Sequence, residues 1–262
     1  MNNTAIAFLM TVIAGLATGI GSIIAFFAKS TNKTFLSVSL GFSAGVMIYV
    51  SMMEMMTNAR DTLTLSFGAL AGGWTAIAAF FGGIALMVVI DRLIPSPDDN
   101  QAALPIADMT SVSGMRRTGF MTALAIAIHN FPEGMATFVS ALAGADVAVP
   151  IVVAIAIHNI PEGIAVSAPI YAATGSKKKA FILSFVSGLA EPVGALVGWL
   201  VLMPIMSDVA LGIIFAAVAG IMVYISIEEL LPSARKARDG SAVTYGAILG
   251  MAVMGISLML FV

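Results

Sequence analysis

Apolar runs of about 20 residues or more recur along the chain, separated by short polar or Gly/Pro-marked breaks. A helix needs about 20 mostly apolar residues to cross a hydrocarbon core about 30 Å thick, so the pattern predicts eight transmembrane helices. Their approximate spans are 4–28, 34–56, 65–92, 118–141, 147–173, 180–204, 209–231 and 243–262. The first has no positive n-region and no A-x-A cleavage site, which reads as a retained helix rather than a signal peptide. Between residues 93 and 117 the pattern lapses: Pro95, Pro97, Asp98, Asp99, Pro105 and Asp108 predict a cytoplasmic loop. The expected fold is an all-α polytopic membrane protein, with residues 1–262 forming a single transmembrane domain.

Composition agrees with this pattern. Of 262 residues 60% are hydrophobic and 10% charged, too few charges to coat a water-facing surface, where about 25% is usual. Eleven of the twelve Lys and Arg residues fall in alternate connections, and only Arg60 lies on the other side. The positive-inside rule then places both termini outside the cytoplasm. With no cysteine there is no disulfide, thiolate metal site or thiol nucleophile. A net charge of -2 without a basic tract argues against nucleic acid as a partner.

Three internal echoes organise the spans. AIAIHNFPEGMA at 125–136 matches AIAIHNIPEGIA at 154–165, in the fourth and fifth spans. GVMIYVSMMEM at 45–55 matches GIMVYISIEEL at 220–230, in the second and seventh. GLATGIG at 15–21 matches GLAEPVG at 188–194, in the first and sixth. The paired spans run in opposite directions, which predicts inverted 3+2+3 repeat symmetry, a construction common in secondary transporters that puts the substrate site near mid-membrane.

The chemistry sits in the first echo. His129 and Glu133 are four residues apart, as are His158 and Glu162, so each pair shares a helix face, with Asn130 and Asn159 on an adjacent strip. Both motifs lie about 14 residues, or about 20 Å of helix, from the tip of the hairpin joining the two spans, close to mid-bilayer. Pro132 and Pro161 lack an N–H, which frees the carbonyls of Ile128 and Ile157 from their helical partners. Glu191, also followed by a proline, adds a third carboxylate. An ionisable residue at mid-bilayer costs roughly 2.5–3.5 kcal/mol on insertion scales, so three need compensation. Imidazoles, amides and carboxylates together suit a divalent cation, or two sharing carboxylates, and mixed N and O donors favour zinc, iron, manganese or cobalt over calcium or magnesium. That ion is substrate; no resident cofactor is expected.

Glu54 and Glu229, at equivalent positions of the second echo, lie near the outer end of the second span and the cytoplasmic end of the seventh, where they could recruit cations at entrance and exit or simply reach water. Met47 and Met222 offer soft sulfur or ordinary packing. Gly246 and Gly250 have GxxxG spacing, suited to a helix contact. A passive metal channel and an intramembrane metalloenzyme are the rival readings. The enzyme is the weaker, since neither H-E-x-x-H nor E-x-x-H occurs.

HNFPEG and HNIPEG, the segment SGLAEP and the strings SMMEM and SIEELLP resemble the ZIP (Zrt-, Irt-like) family of divalent metal transporters, in particular its bacterial ZupT-like branch. The resemblance covers essentially the whole chain. It implies uptake of zinc, and of further metals such as iron, manganese, cobalt or cadmium, toward the cytoplasm across the plasma (inner) membrane, by alternating access, in a chain that is a likewise-implied homodimer and not an enzyme. It also implies a binuclear centre. His129, Glu133 and Glu162 form one position, with Met47 a fourth contact. Asn130, Glu133, His158 or Asn159, Glu162 and Glu191 form or border the second, with Glu133 and Glu162 bridging. One departure is that residues 93–117 contain no His, where many relatives carry a histidine-rich loop.

Overall fold

The computed structural model describes residues 3–27, 33–93, 112–142, 145–202, 207–237 and 240–260, and among these every element is helical. In chain order they are α1 (Asn3–Phe27), α2 (Lys33–Val50), α3 (Met56–Phe67), α4 (Ala69–Leu93), α5 (Val112–Leu142), α6 (Ala145–Thr174), α7 (Lys177–Gly188), α8 (Ala190–Val197), α9 (Asp208–Ile225), α10 (Leu231–Ala237) and α11 (Ser241–Leu260). Six stretches among the described residues are long and apolar enough to cross a membrane: Asn3–Phe27, Lys33–Phe67, Ala69–Ile90, Lys177–Val201, Asp208–Glu228 and Ser241–Met259. Their outward faces carry exposed Leu9, Ile13, Trp74, Phe81, Ile248 and Met259, a coat that only lipid can solvate. The chain is an all-helical, multi-pass membrane protein. The helices α5 and α6, which carry the doubled motif, are 31 and 30 residues long.

Several helix ends differ from the hydropathy pattern. The second span, expected to stop near 56, continues as α3 to Phe67. Polar residues begin there, but Ala59 and Leu63 are fully buried and pack on Gly212 of α9; that contact holds the extra turns. Gly68, at φ 81, ends them, a left-handed conformation that glycine adopts without strain. The seventh span likewise runs past 231 through α10. The loop expected over 93–117 is shorter, since α4 reaches Leu93 and α5 starts at Val112; Pro95, Pro97, Asp98, Asp99, Pro105 and Asp108 lie outside the described residues.

Two helices widen at matching points of the second echo. π-helical turns occupy Ser51–Met55, between α2 and α3, and Ser226–Leu230, between α9 and α10. Each opens on a buried serine whose hydroxyl donates to the carbonyl four residues back, Ser51 to Met47 at 2.6 Å and Ser226 to Met222 at 2.8 Å. Such back-bonding loosens the helical ladder locally, and single π-turns often accompany functional sites.

Glycines let the helices meet backbone to backbone, the usual way to gain packing where lipid offers no hydrophobic contrast. Gly15 of α1 and Gly188 of α7 abut so closely that a Cβ on either would lie 2.6 or 2.5 Å from the other's carbonyl oxygen. Gly163 of α6 rests on the carbonyl of Thr18, and Gly134 of α5 on that of Glu191. Gly45 and Gly250 serve the α2/α11 contact, Gly83 and Gly220 the α4/α9 contact. Gly246 also faces α2, at Val38, so the GxxxG pair is a contact face.

Adjacent glycines of α4 give a clean test. A Cβ at Gly83 would strike the carbonyl of Ala217, whereas one at Gly82 meets open space. Gly83→Ala should lower stability by about 1–3 kcal/mol through overpacking. Gly82→Ala should be neutral or stabilising by up to about 1 kcal/mol through helix propensity. Thermal unfolding in detergent micelles separates the two.

Candidate metal centre

The helices α5 and α6 run unbroken through Pro132 and Pro161, so each proline removes one backbone bond without ending its helix. Tight packing against neighbours makes that tolerable at membrane depth. The chain does leave the helix on the third element of the site. Leu189 forms a turn between α7 and α8, one turn before Pro192, whose missing N–H would otherwise bond the Gly188 carbonyl. That turn starts α8 at Ala190 and brings Glu191 against Gly134 of α5.

Five of the residues picked out by the motifs are buried together. Asn130, Glu133, Asn159, Glu162 and Glu191 are each no more than 1% exposed. The two asparagines play matching parts. The Nδ2 of Asn130 donates to the carbonyl of Ser187 on α7 at 3.4 Å. The Nδ2 of Asn159 donates to the carbonyl of Ala14 on α1 at 3.0 Å and also to Oε1 of Glu191. Asn159 thus ties α6 to both α1 and α8. Glu133 and Glu162 are close enough to Glu191 for direct electrostatic interaction, so the three buried carboxyl groups lie near one another.

Three oxygens there have no hydrogen-bond donor among the described residues: Oδ1 of Asn130, Oδ1 of Asn159 and Oε2 of Glu191. The two amide oxygens can only accept, and so can Oε2 of Glu191 when its carboxyl is ionised. Buried acceptors are nearly always paired, and an acceptor-only cluster beside carboxylates matches the ligand chemistry of a hard or borderline cation. Among the described residues no group of three or more imidazole or carboxylate side chains is spaced to hold a metal. The side chains of His129, His158 and Glu229 lie outside the described residues.

A cavity of about 30 Å³ adjoins Glu133, and Glu54 lines it too, with Asn58, Thr137, Ser140 and Met222. Glu54, read from the sequence as an outer recruiter, therefore faces the same space as a central carboxylate. Met47 is fully buried, its sulfur 4.0 Å from the Ser43 hydroxyl; it is Met222, its counterpart in the echo, that lines the cavity. Asn58, Thr137 and Ser140 were not singled out from the sequence, although Asn58 and Thr137 follow Glu54 and Glu133 by four residues, the spacing that shares a helix face. Glu228 is exposed.

Residues 95–261 match the family model described as ZIP Zinc transporter. The chain belongs to the ZIP family. Among ZIP relatives it is 59% identical to a protein of Streptococcus mutans named zinc transporter ZupT, over 98% of this chain and 97% of that one. It is 54% identical to a zinc transporter ZupT of Clostridium perfringens, over 100% and 98%, and 52% identical to one of Corynebacterium glutamicum, over 98% and 99%. Both copies of HNxPEG and Glu191 fall within the ZIP model's reach.

Asn159 supplies a test of this geometry. Asn159→Asp keeps the shape, removes the donor to Ala14 and Glu191 and adds a charge beside a buried carboxylate. The metal-free protein should lose about 1–3 kcal/mol or more of stability. Added zinc should recover a larger rise in melting temperature than in wild type, since a ligand selective for the folded state stabilises by mass action. Thermal unfolding with and without zinc reads both effects.

Proposed function

We propose that the chain takes up divalent transition-metal cations, zinc foremost, toward the cytoplasm across a plasma (inner) membrane. The trio of buried acceptors, Oδ1 of Asn130, Oδ1 of Asn159 and Oε2 of Glu191, carries this reading. Leaving such groups unsatisfied costs about 1–3 kcal/mol each, and a cation that ligates them removes that cost while balancing the neighbouring carboxylates. The chain's ZIP membership and the names of its relatives favour zinc as that cation. Zinc transporters of this family are not enzymes, and neither is this chain.

In this reading two metal positions share Glu133 and Glu162 as bridges. His129, with Met47, completes the first; Asn130, His158 or Asn159, and Glu191 complete or border the second. Iron, manganese, cobalt and cadmium are further substrates of the same donor set. The ion enters dehydrating, exchanges waters for these side chains, and leaves when the site opens to the other side. An alternating-access carrier is the favoured form of this reading, with a passive channel its rival, and saturable uptake with counterflow separates the two.

The reading includes eight crossing helices, with α5 and α6 as the central pair, both termini outside, and an inverted 3+2+3 repeat. Matching contacts support that symmetry. Asn130 reaches Ser187 as Asn159 reaches Ala14, and Gly134 meets Glu191 as Gly163 meets Thr18; in each case the partners occupy equivalent places in the echoes.

Glu133→Ala and Glu162→Ala should each reduce zinc uptake into proteoliposomes by about 100-fold or more while the protein remains folded, because each removes a bridging ligand. Wild-type flux in either variant would sink the proposal. Ligating imidazoles must be neutral and carboxylates ionised, so uptake should fall as the external pH drops from about 7 to about 5.

A further inference from the structure

The turn at Gly68 brings the end of α3 beside the start of α4, and an open groove lies between the two helices. Its lining changes along its length. Arg60 and Asp61 of α3 and Trp74 of α4 line the part nearer the turn, and Met52 and Ile77 the part farther from it. Gly73 borders the groove as well. A Cβ there would meet open space, whereas one on Gly72 would strike the backbone at Leu63. Gly72 thus lets α3 and α4 close on each other, and the missing side chain at Gly73 keeps the groove between them clear.

The helix fixes the level of this groove in the membrane. Trp74 stands five residues into α4, about 8 Å along its axis, the level at which tryptophan marks the boundary between headgroups and acyl chains. Arg60 and Asp61, on the same groove, are both exposed. Consecutive helical residues do not face each other, and among the described residues neither side chain has a hydrogen-bond or ion-pair partner. The groove therefore offers a separate positive and negative charge at headgroup level, above a stretch of apolar wall. A guanidinium forks onto a phosphate, and a carboxylate accepts N–H bonds from a primary ammonium. A purely anionic headgroup would meet like charge at Asp61, and a quaternary ammonium has no N–H to give it.

We propose that this groove holds one phospholipid with a primary ammonium headgroup, of the phosphatidylethanolamine kind. Arg60 takes its phosphate and Asp61 its ammonium, while an acyl chain runs past Trp74 and over Gly73 toward Met52 and Ile77. The site needs only that α3 and α4 stand in a membrane, and it holds whatever ion the metal centre carries.

The chain has two tryptophans, so Trp199→Phe leaves Trp74 as the single reporter. The test places this full-length variant in bilayer nanodiscs of phosphatidylcholine. A minor fraction of phosphatidylethanolamine, phosphatidylglycerol or phosphatidylcholine with brominated acyl chains is added to quench the indole. Brominated phosphatidylethanolamine should quench Trp74 about threefold more than brominated phosphatidylcholine at the same fraction, an enrichment in keeping with partly exposed charge pairs. Arg60→Gln and Asp61→Asn should each bring the two lipids to parity. So should Gly73→Leu, which fills the groove without altering charge. Equal quenching by all three lipids overturns the site, as does an excess that survives any of these variants. Stronger quenching by phosphatidylglycerol overturns it in favour of an anionic lipid, and no quenching by any lipid in favour of a second copy of the chain covering the groove.

Discussion

Everything in this molecule bends around the burial of three carboxylates. Glu133, Glu162 and Glu191 are each at most 1% exposed, inside helices whose outer faces are apolar. Charge in a low-dielectric interior is stabilised only by an opposite charge or by donors held in place beforehand. Asn159 reaches Glu191, and both asparagines also use their amide nitrogens to grip backbone carbonyls on neighbouring helices. A donor anchored in this way cannot swing to neutralise a second charge. In the uptake reading proposed above, a doubly charged ion balances these carboxylates.

Holding like charges together requires stiff surroundings, and the glycine contacts supply them. Gly134 meets the backbone of Glu191 itself, Gly163 that of Thr18, and Gly15 and Gly188 meet each other. With no side chain between them, these helices are held backbone to backbone. Interfaces of this kind behave as two-position devices rather than springs. The serine and threonine hydroxyls follow the same economy. Ser167 donates to Gly163 at 2.6 Å, Thr11 to Ala7 at 3.0 Å, Thr137 to Glu133 at 2.8 Å. Back-bonding satisfies their hydrogens locally and leaves oxygen acceptors facing the interior.

Much of this was readable from the residues. Hydropathy marked the six crossings found among the described residues because a membrane helix must be apolar for its whole crossing, and the doubled HNxPEG marked carboxylates and amides that the structure buries. Helix ends were less legible. Residues 57–64 look like a loop by polarity, yet Ala59 and Leu63 dock on Gly212, a contact from a segment about 150 residues away in sequence that no local pattern announces. The two π-turns of the second echo were equally hidden, although Ser51 and Ser226 open them. Asn58 escaped notice because an asparagine at a helix end usually just reaches water; only the cavity between that end and α5 gives it a space to line.

The third echo has an electrostatic asymmetry that a repeat argument alone would miss. Thr18 stands in GLATGIG where Glu191 stands in GLAEPVG, and the backbones of both lie against the glycine of a central helix. Thr18 is fully buried, and its hydroxyl has no hydrogen-bond partner among the described residues. One side of the centre is thus anionic and the other merely polar. Were both acidic, four buried carboxylates would bind divalent ions more tightly and release them more slowly, since mutual repulsion would return as each ion left. A transporter must let go as well as hold. In the uptake reading proposed above, a hydroxyl in place of the fourth carboxylate gives the ion a weaker neighbour on one side, and so a direction in which leaving costs less.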